Sequence, residues 1–162
     1  MIELAELLAA GGGVLHGPAV DRRFGCFQYD SRLLSPAAPP GDVTGALFVA
    51  VKSEKGDGHD YIADAVARGA RGVLCQQAPV QPLPGVTVVV VPDTRAALLA
   101  YAEHALARAT LTTVGITGSA GKTTAKELIA AALARTGRAV FFNRGSINGR
   151  YGLSIAAGDL EP

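Results

Sequence analysis

Residues 113–124 read Thr-Val-Gly-Ile-Thr-Gly-Ser-Ala-Gly-Lys-Thr-Thr. An apolar run enters a glycine turn, Lys122 and Thr123 follow, and good helix formers (Ala125, Lys126, Glu127, Leu128) come next. Each residue type has a chemical use at its place. Glycines let backbone N–H groups turn inward and approach phosphate oxygens closely. A helix start adds its partial positive charge. A lysine there reaches the β- and γ-phosphates of a nucleotide, and the next hydroxyl can ligate Mg²⁺. Gly118, Ser119, Ala120, Gly121, Lys122, Thr123 and Thr124 are therefore the candidate nucleotide-phosphate-binding residues. Lys122 and Thr123 are the candidates for catalysis, with Thr123 as metal ligand. The commoner P-loop spacing places glycine at position 116, which here is Ile116, so the loop is a shorter variant.

A second set lies upstream. Ser31 and Arg32, in Asp30-Ser31-Arg32, pair a hydroxyl donor with a guanidinium fork that matches diphosphate oxygens. Asp57-Gly58-His59 forms a turn after an apolar run, where binding residues concentrate, and Lys52 and Lys55 flank it. Lys52 is favoured because it ends the strand. No paired carboxylates, Ser-His-Asp set or metal-ligand cluster stands out. His16 and His104 receive no role. Arg135, Arg138, Arg144 and Arg150 lack the interleaved aromatics that single-stranded nucleic acid would need.

The elements that must hold these residues alternate. Residues 2–10 carry a short helical pattern stopped by Gly11-Gly12-Gly13, and residues 31–45 are Ser/Pro/Gly-rich loop. Residues 46–51 read as a buried strand, and Asp60 is placed to cap a helix over 61–69. Val73-Leu74 begins another strand; residues 86–91 are a continuous β-branched run, and Asp93 starts a helix to about Arg108. Then come a strand over 111–117, the glycine loop, a helix over 122–136 and a strand over 139–142. This alternation predicts an α/β fold with parallel strands and right-handed crossovers. The expected boundary falls near Ala109-Thr110, giving units 1–109 and 110–162, the second cut short.

Composition narrows the classes. At 162 residues, 49% hydrophobic and 18% charged, the chain can bury a core and is neither disordered nor a coiled coil. Net charge is +1, so no global field favours nucleic acid or an anionic membrane. Residues 111–162 carry 6 basic against 3 acidic side chains, a mild excess where the phosphate ligand is placed. Two cysteines, Cys26 and Cys75, form no disulfide framework or zinc site and read as buried hydrophobes. No apolar run would insert into a membrane, and the start Met1-Ile2-Glu3 is acidic where a signal peptide is basic, so a cytoplasmic protein is expected.

Residues 116–124 resemble the ATP loop of the Mur ligases, which build the peptidoglycan stem peptide. Four upstream stretches resemble the N-terminal UDP-binding domain of the two later ligases of that family: Asp30-Ser31-Arg32; residues 45–52; Asp57-Gly58-His59-Asp60-Tyr61-Ile62; and residues 65–70. Lys126-Glu127, Asn148 and Gly152 look more like the D-alanyl-D-alanine-adding member, with the tripeptide-forming member as the nearer alternative. Ser146, Gly149 and Ser154 depart from that member's usual Asn-rich turn. The resemblance implies a UDP-substrate-binding α/β domain followed by the start of a P-loop-type parallel-sheet ATPase domain. It implies ATP and Mg²⁺ as cofactors, and UDP-N-acetylmuramoyl-tripeptide and D-Ala-D-Ala as substrates. It also implies Ser31, Arg32, Lys52, Asp57 and His59 as UDP-substrate contacts. The chain alone would not turn over. A non-catalytic module holding a UDP-sugar or nucleotide is the alternative from another class.

Overall fold

The computed structural model describes residues 1–34, 45–53, 56–143 and 151–160. Its centre is a five-stranded sheet. Strands β4 (Phe27–Gln28), β5 (Leu47–Val49), β8 (Gly72–Cys75) and β9 (Thr87–Val90) run parallel, and β2 (Val14–Leu15) pairs antiparallel with β9 at one edge, giving the order β2-β9-β8-β5-β4. Two small antiparallel pairs flank it: β1 (Ile2–Glu3) with β3 (Arg23–Phe24), and β6 (Lys52–Ser53) with β7 (Gly56–Asp57).

The central strands β5, β8 and β9 are largely apolar and buried because both faces are covered. Leu47, Val49, Leu74 and Val89 point into a core shared with α1 (Leu4–Gly11) and α3 (Thr94–Arg108). Phe48, Val73, Cys75 and Val88 alternate to the other face and meet Ile62 and Ala65 of α2 (Ile62–Ala67). This is the strand period of two acting on a sheet sandwiched between helices. Asp93 caps α3 as its position predicts, accepting from Ala96 N–H at 2.8 Å.

Three expectations are corrected. Asp60 does not cap α2; Asp57 instead accepts from His59 N–H at 3.0 Å and caps a 3₁₀ turn over Gly58–Tyr61 that leads into the helix. Residues 111–117 and 139–142 form no strand: among the described residues nothing pairs with them, and a strand exists only through its ladder. The helix after the glycine loop, α4 (Lys122–Ala134), is present but buries only Ala130.

Beyond α4, α5 (Gly152–Ala156) and a 3₁₀ turn over Ala157–Asp159 return to the first sheet. Ile155 joins the core beside α3, and the chain passes so close that a Cβ on Gly158 would sit 2.6 Å from the Phe27 ring. Among the described residues no helix is long and apolar enough to cross a membrane.

Candidate functional site

Two clusters carry the chemistry. The first is the glycine loop. Gly121 ends it at φ 76°, a left-handed conformation that glycine adopts without steric cost, and from there α4 begins. Gly118 also has positive φ, at 154°. Lys122 folds back over the turn, its Nζ donating to the Gly118 carbonyl at 2.5 Å. The loop thus brings an ammonium, the start of a 13-residue helix and the half-buried Thr123 side chain together, while Gly118, Ser119, Ala120, Gly121 and Thr124 lie exposed. The set fits a polyphosphate with a divalent cation: positive partial charge at the helix start, one ammonium, and one hydroxyl for the metal. One turn further along α4, Lys126 donates to the Asn143 carbonyl and lies 5.9 Å from the centre of the Phe142 ring.

The second cluster lies at the carboxyl ends of the parallel strands, where open α/β sheets bind ligands. Asp30 and Ser31 follow β4, Lys52 follows β5, and Gln76 follows β8. Arg32 forms a two-pronged pair with Asp30, Nε to Oδ1 at 2.8 Å and a terminal nitrogen to Oδ2 at 2.6 Å, which holds the Asp30 carboxyl below its ordinary range. Ser31 is buried and its hydroxyl bonds Asp64 on α2, which together with Arg68 lowers the Asp64 carboxyl as well.

Lys52 and Asp57 face each other across the β6–β7 pair, Nζ to Oδ2 at 3.9 Å. Asp57 receives both the backbone N–H and, at 2.5 Å, the Nδ1 of His59, and these bonds depress its carboxyl. Lys52, Asp57 and His59 thus form one group, with Ser31 and Arg32 on the neighbouring turn. Lys55 and Asn148, also singled out in the sequence, lie outside the described residues.

Residues 29–136 match the Mur ligase family, catalytic domain. The chain belongs to the Mur ligase family. It is 37% identical to the UDP-N-acetylmuramoyl-tripeptide–D-alanyl-D-alanine ligase of Mycobacterium bovis, across 94% of this chain and 33% of that protein. It is 40% identical to the UDP-N-acetylmuramoyl-L-alanyl-D-glutamate–2,6-diaminopimelate ligase of Chlorobaculum tepidum, across 67% of this chain and 20% of that protein. Among solved structures, MurF from Acinetobacter baumannii superposes with a TM-score of 0.76 at 27% identity, covering 98% of this chain and 33% of that one. The MurF ligase of Thermotoga maritima in complex with ADP gives 0.63 at 31% identity, covering 91% and 31%. This Mur ligase chain therefore spans a fifth to a third of the length of these relatives.

Sequence patterns in the Mur ligase chain reveal little of the supporting partners. Asp30 and Asp64 anchor Arg32 and Ser31, the backbone N–H groups of Gln76 and Gln77 meet His59, and Tyr151 reaches the Lys52 carbonyl. Asp30, two residues before Arg32, is readable as an Asx turn. The contacts of Gln76 and Tyr151 have no local signal at all.

Proposed function

We propose that this chain is the substrate-binding and ATP-loop portion of an ATP-dependent ligase that adds D-Ala-D-Ala to UDP-N-acetylmuramoyl-tripeptide in peptidoglycan precursor synthesis. The observation that carries the reading is the glycine loop, with Lys122 folded onto Gly118, in a chain 37% identical along nearly its whole length to a UDP-N-acetylmuramoyl-tripeptide–D-alanyl-D-alanine ligase. The similarity to the Thermotoga maritima MurF ligase, solved in complex with ADP, supports nucleotide use.

In this reading residues 1–109 bind the UDP-substrate and residues 110–162 begin the ATP-binding unit. Lys122 exchanges the Gly118 carbonyl for the β- and γ-phosphates, holding them while the substrate carboxylate oxygen attacks the γ-phosphorus and ADP leaves. The amine of D-Ala-D-Ala then attacks the acyl phosphate carbon, forming the amide and releasing phosphate and a proton. Lys122 and the N–H groups of the first turn of α4 neutralise charge that builds on the transferring group, and positioning supplies most of the remaining rate. Mg²⁺, held by the Thr123 hydroxyl, would supply further charge neutralisation. Ser31, Arg32, Lys52, Asp57 and His59 form the UDP-substrate site, with the Lys52 ammonium and Arg32 guanidinium as its cations.

The resemblance to the diaminopimelate-adding ligase supports a second reading, addition of the third stem residue. Calorimetric titration of the chain separates the two. Tighter binding of the UDP-muramoyl-tripeptide than of the UDP-muramoyl-dipeptide supports D-Ala-D-Ala addition; the reverse order supports the alternative, and no binding of either overturns both.

A further inference from the structure

The β6–β7 pair stands at the mouth of the sheet and, among the described residues, is in no ladder with the sheet's strands, so side chains must fix it against β8. His59 spans that gap. Its Nδ1 lies 2.5 Å from Asp57 Oδ1, while its Nε2 accepts the backbone N–H of Gln76 at 2.9 Å and faces that of Gln77 at 3.4 Å. Because a backbone N–H can only donate, Nε2 carries no proton, and the ring proton of the neutral imidazole must sit on Nδ1, donating to Asp57. Both nitrogens are thereby engaged, and the side chain is only 16% exposed. Asp57 in turn faces the Lys52 ammonium. Gly58 lets the turn close: a Cβ there would stand 2.6 Å from the Val51 nitrogen and 2.8 Å from its carbonyl oxygen.

We propose that His59 is a positioning residue, locked as the Nδ1–H tautomer between Asp57 and the Gln76 backbone, that holds Lys52 in place for the diphosphate and does not itself touch the ligand. The inference rests on the UDP-substrate reading. It differs from direct contact in a way that can be measured, because a ligand histidine would leave one nitrogen open to the ligand.

The test uses the 162-residue chain, uridine 5′-diphosphate as the probe, and ¹⁵N spectra of the imidazole. The expected result is one Nδ1–H tautomer, unchanged when the diphosphate is added, and a slowly exchanging Gln76 amide. His59→Ala should speed that exchange and weaken diphosphate binding roughly tenfold. His59→Gln, which keeps an acceptor toward Gln76, should recover most of the affinity and keeps the test valid if the alanine variant unfolds. An Nε2–H tautomer, ring signals that shift on binding, or a folded His59→Ala chain with wild-type affinity would overturn the proposal. A wild-type chain that binds no uridine diphosphate but shows the locked tautomer would overturn the UDP-substrate reading alone.

Discussion

The Tyr151 hydroxyl donates to the carbonyl of Lys52 at 3.2 Å, joining residues 99 positions apart. Tyr151 itself packs against the main core, and α5, which it precedes, lies on α3 and β4. The stretch after α4 therefore touches the strand that presents Lys52. Among the described residues, this hydrogen bond ties the stretch after α4 to the second candidate site.

Tyr151→Phe removes only that hydroxyl. The expected outcome is an unchanged fold, a stability loss of about 1 kcal/mol at most, and uridine diphosphate binding weakened severalfold. Calorimetry and urea denaturation of the same samples check it. Wild-type affinity in the variant would show that the bond leaves Lys52 unaffected.

The packing of α5 sets how the first unit behaves alone. A chain of residues 1–109 is expected to fold, since it holds the whole five-stranded sheet, but with a lower thermal midpoint than the 162-residue chain. It lacks the cover that Ile155 and Gly158 provide over Phe27 and Ile2. Within the full chain, Ile155→Ala should cost about 2 kcal/mol through lost burial and a partial cavity. Circular dichroism melts and urea titrations measure both. Equal midpoints for the two chains would mean that α5 adds nothing.

Lys122→Ala is expected to weaken ATP binding on the order of 100-fold, by removing a cation that meets the phosphates. Uridine diphosphate binding should stay within twofold, because the two clusters share no side chain. Thr123→Ala should weaken Mg²⁺-dependent nucleotide binding, and Thr123→Ser should be mild because the hydroxyl remains. Near-normal ATP affinity in Lys122→Ala would remove the phosphate-loop assignment.

Acid should loosen the second cluster first. Asp30, Asp57 and Asp64 all have carboxyls held below the ordinary range, by Arg32, by the bonds from His59, and by Ser31 with Arg68 respectively. Their folded values lie below their unfolded ones. The stability they contribute is therefore fully present above about pH 4 and is lost as pH falls through the folded values. Urea midpoints measured from pH 6 to pH 2.5 should drop, and Asp57→Asn should flatten part of that slope. A slope identical to wild type in the variant would contradict the assignment of Asp57.

Burial pushes the Cys75 thiol up to about 11 and raises Cys26 as well. At pH 8 both remain thiols, the unreactive form. Iodoacetamide should modify the folded chain slowly and the urea-unfolded chain quickly, as mass spectrometry can follow. Rapid labelling of folded Cys75 would contradict its place in the core.

What the sequence by itself determined are the features that depend on neighbours along the chain. The glycine loop with Lys122, the Asp93 cap, and the apolar runs of β5, β8 and β9 are legible because spacing and side-chain type act within a few residues. The buried faces of those strands also follow, since an uninterrupted apolar strand needs cover on both sides. Tertiary structure decided the rest. That Asp57 and not Asp60 caps the turn before α2 depends on where Gly58 meets Val51. The antiparallel edge strand β2, the Gln76 bond to His59 and the Tyr151 bond to Lys52 join partners distant in sequence. Hydrogen-bond partners at such separations are chosen by which surfaces the core brings together. No local pattern encodes that choice, and so residues 111–117, strand-like in composition, still have no ladder among the described residues.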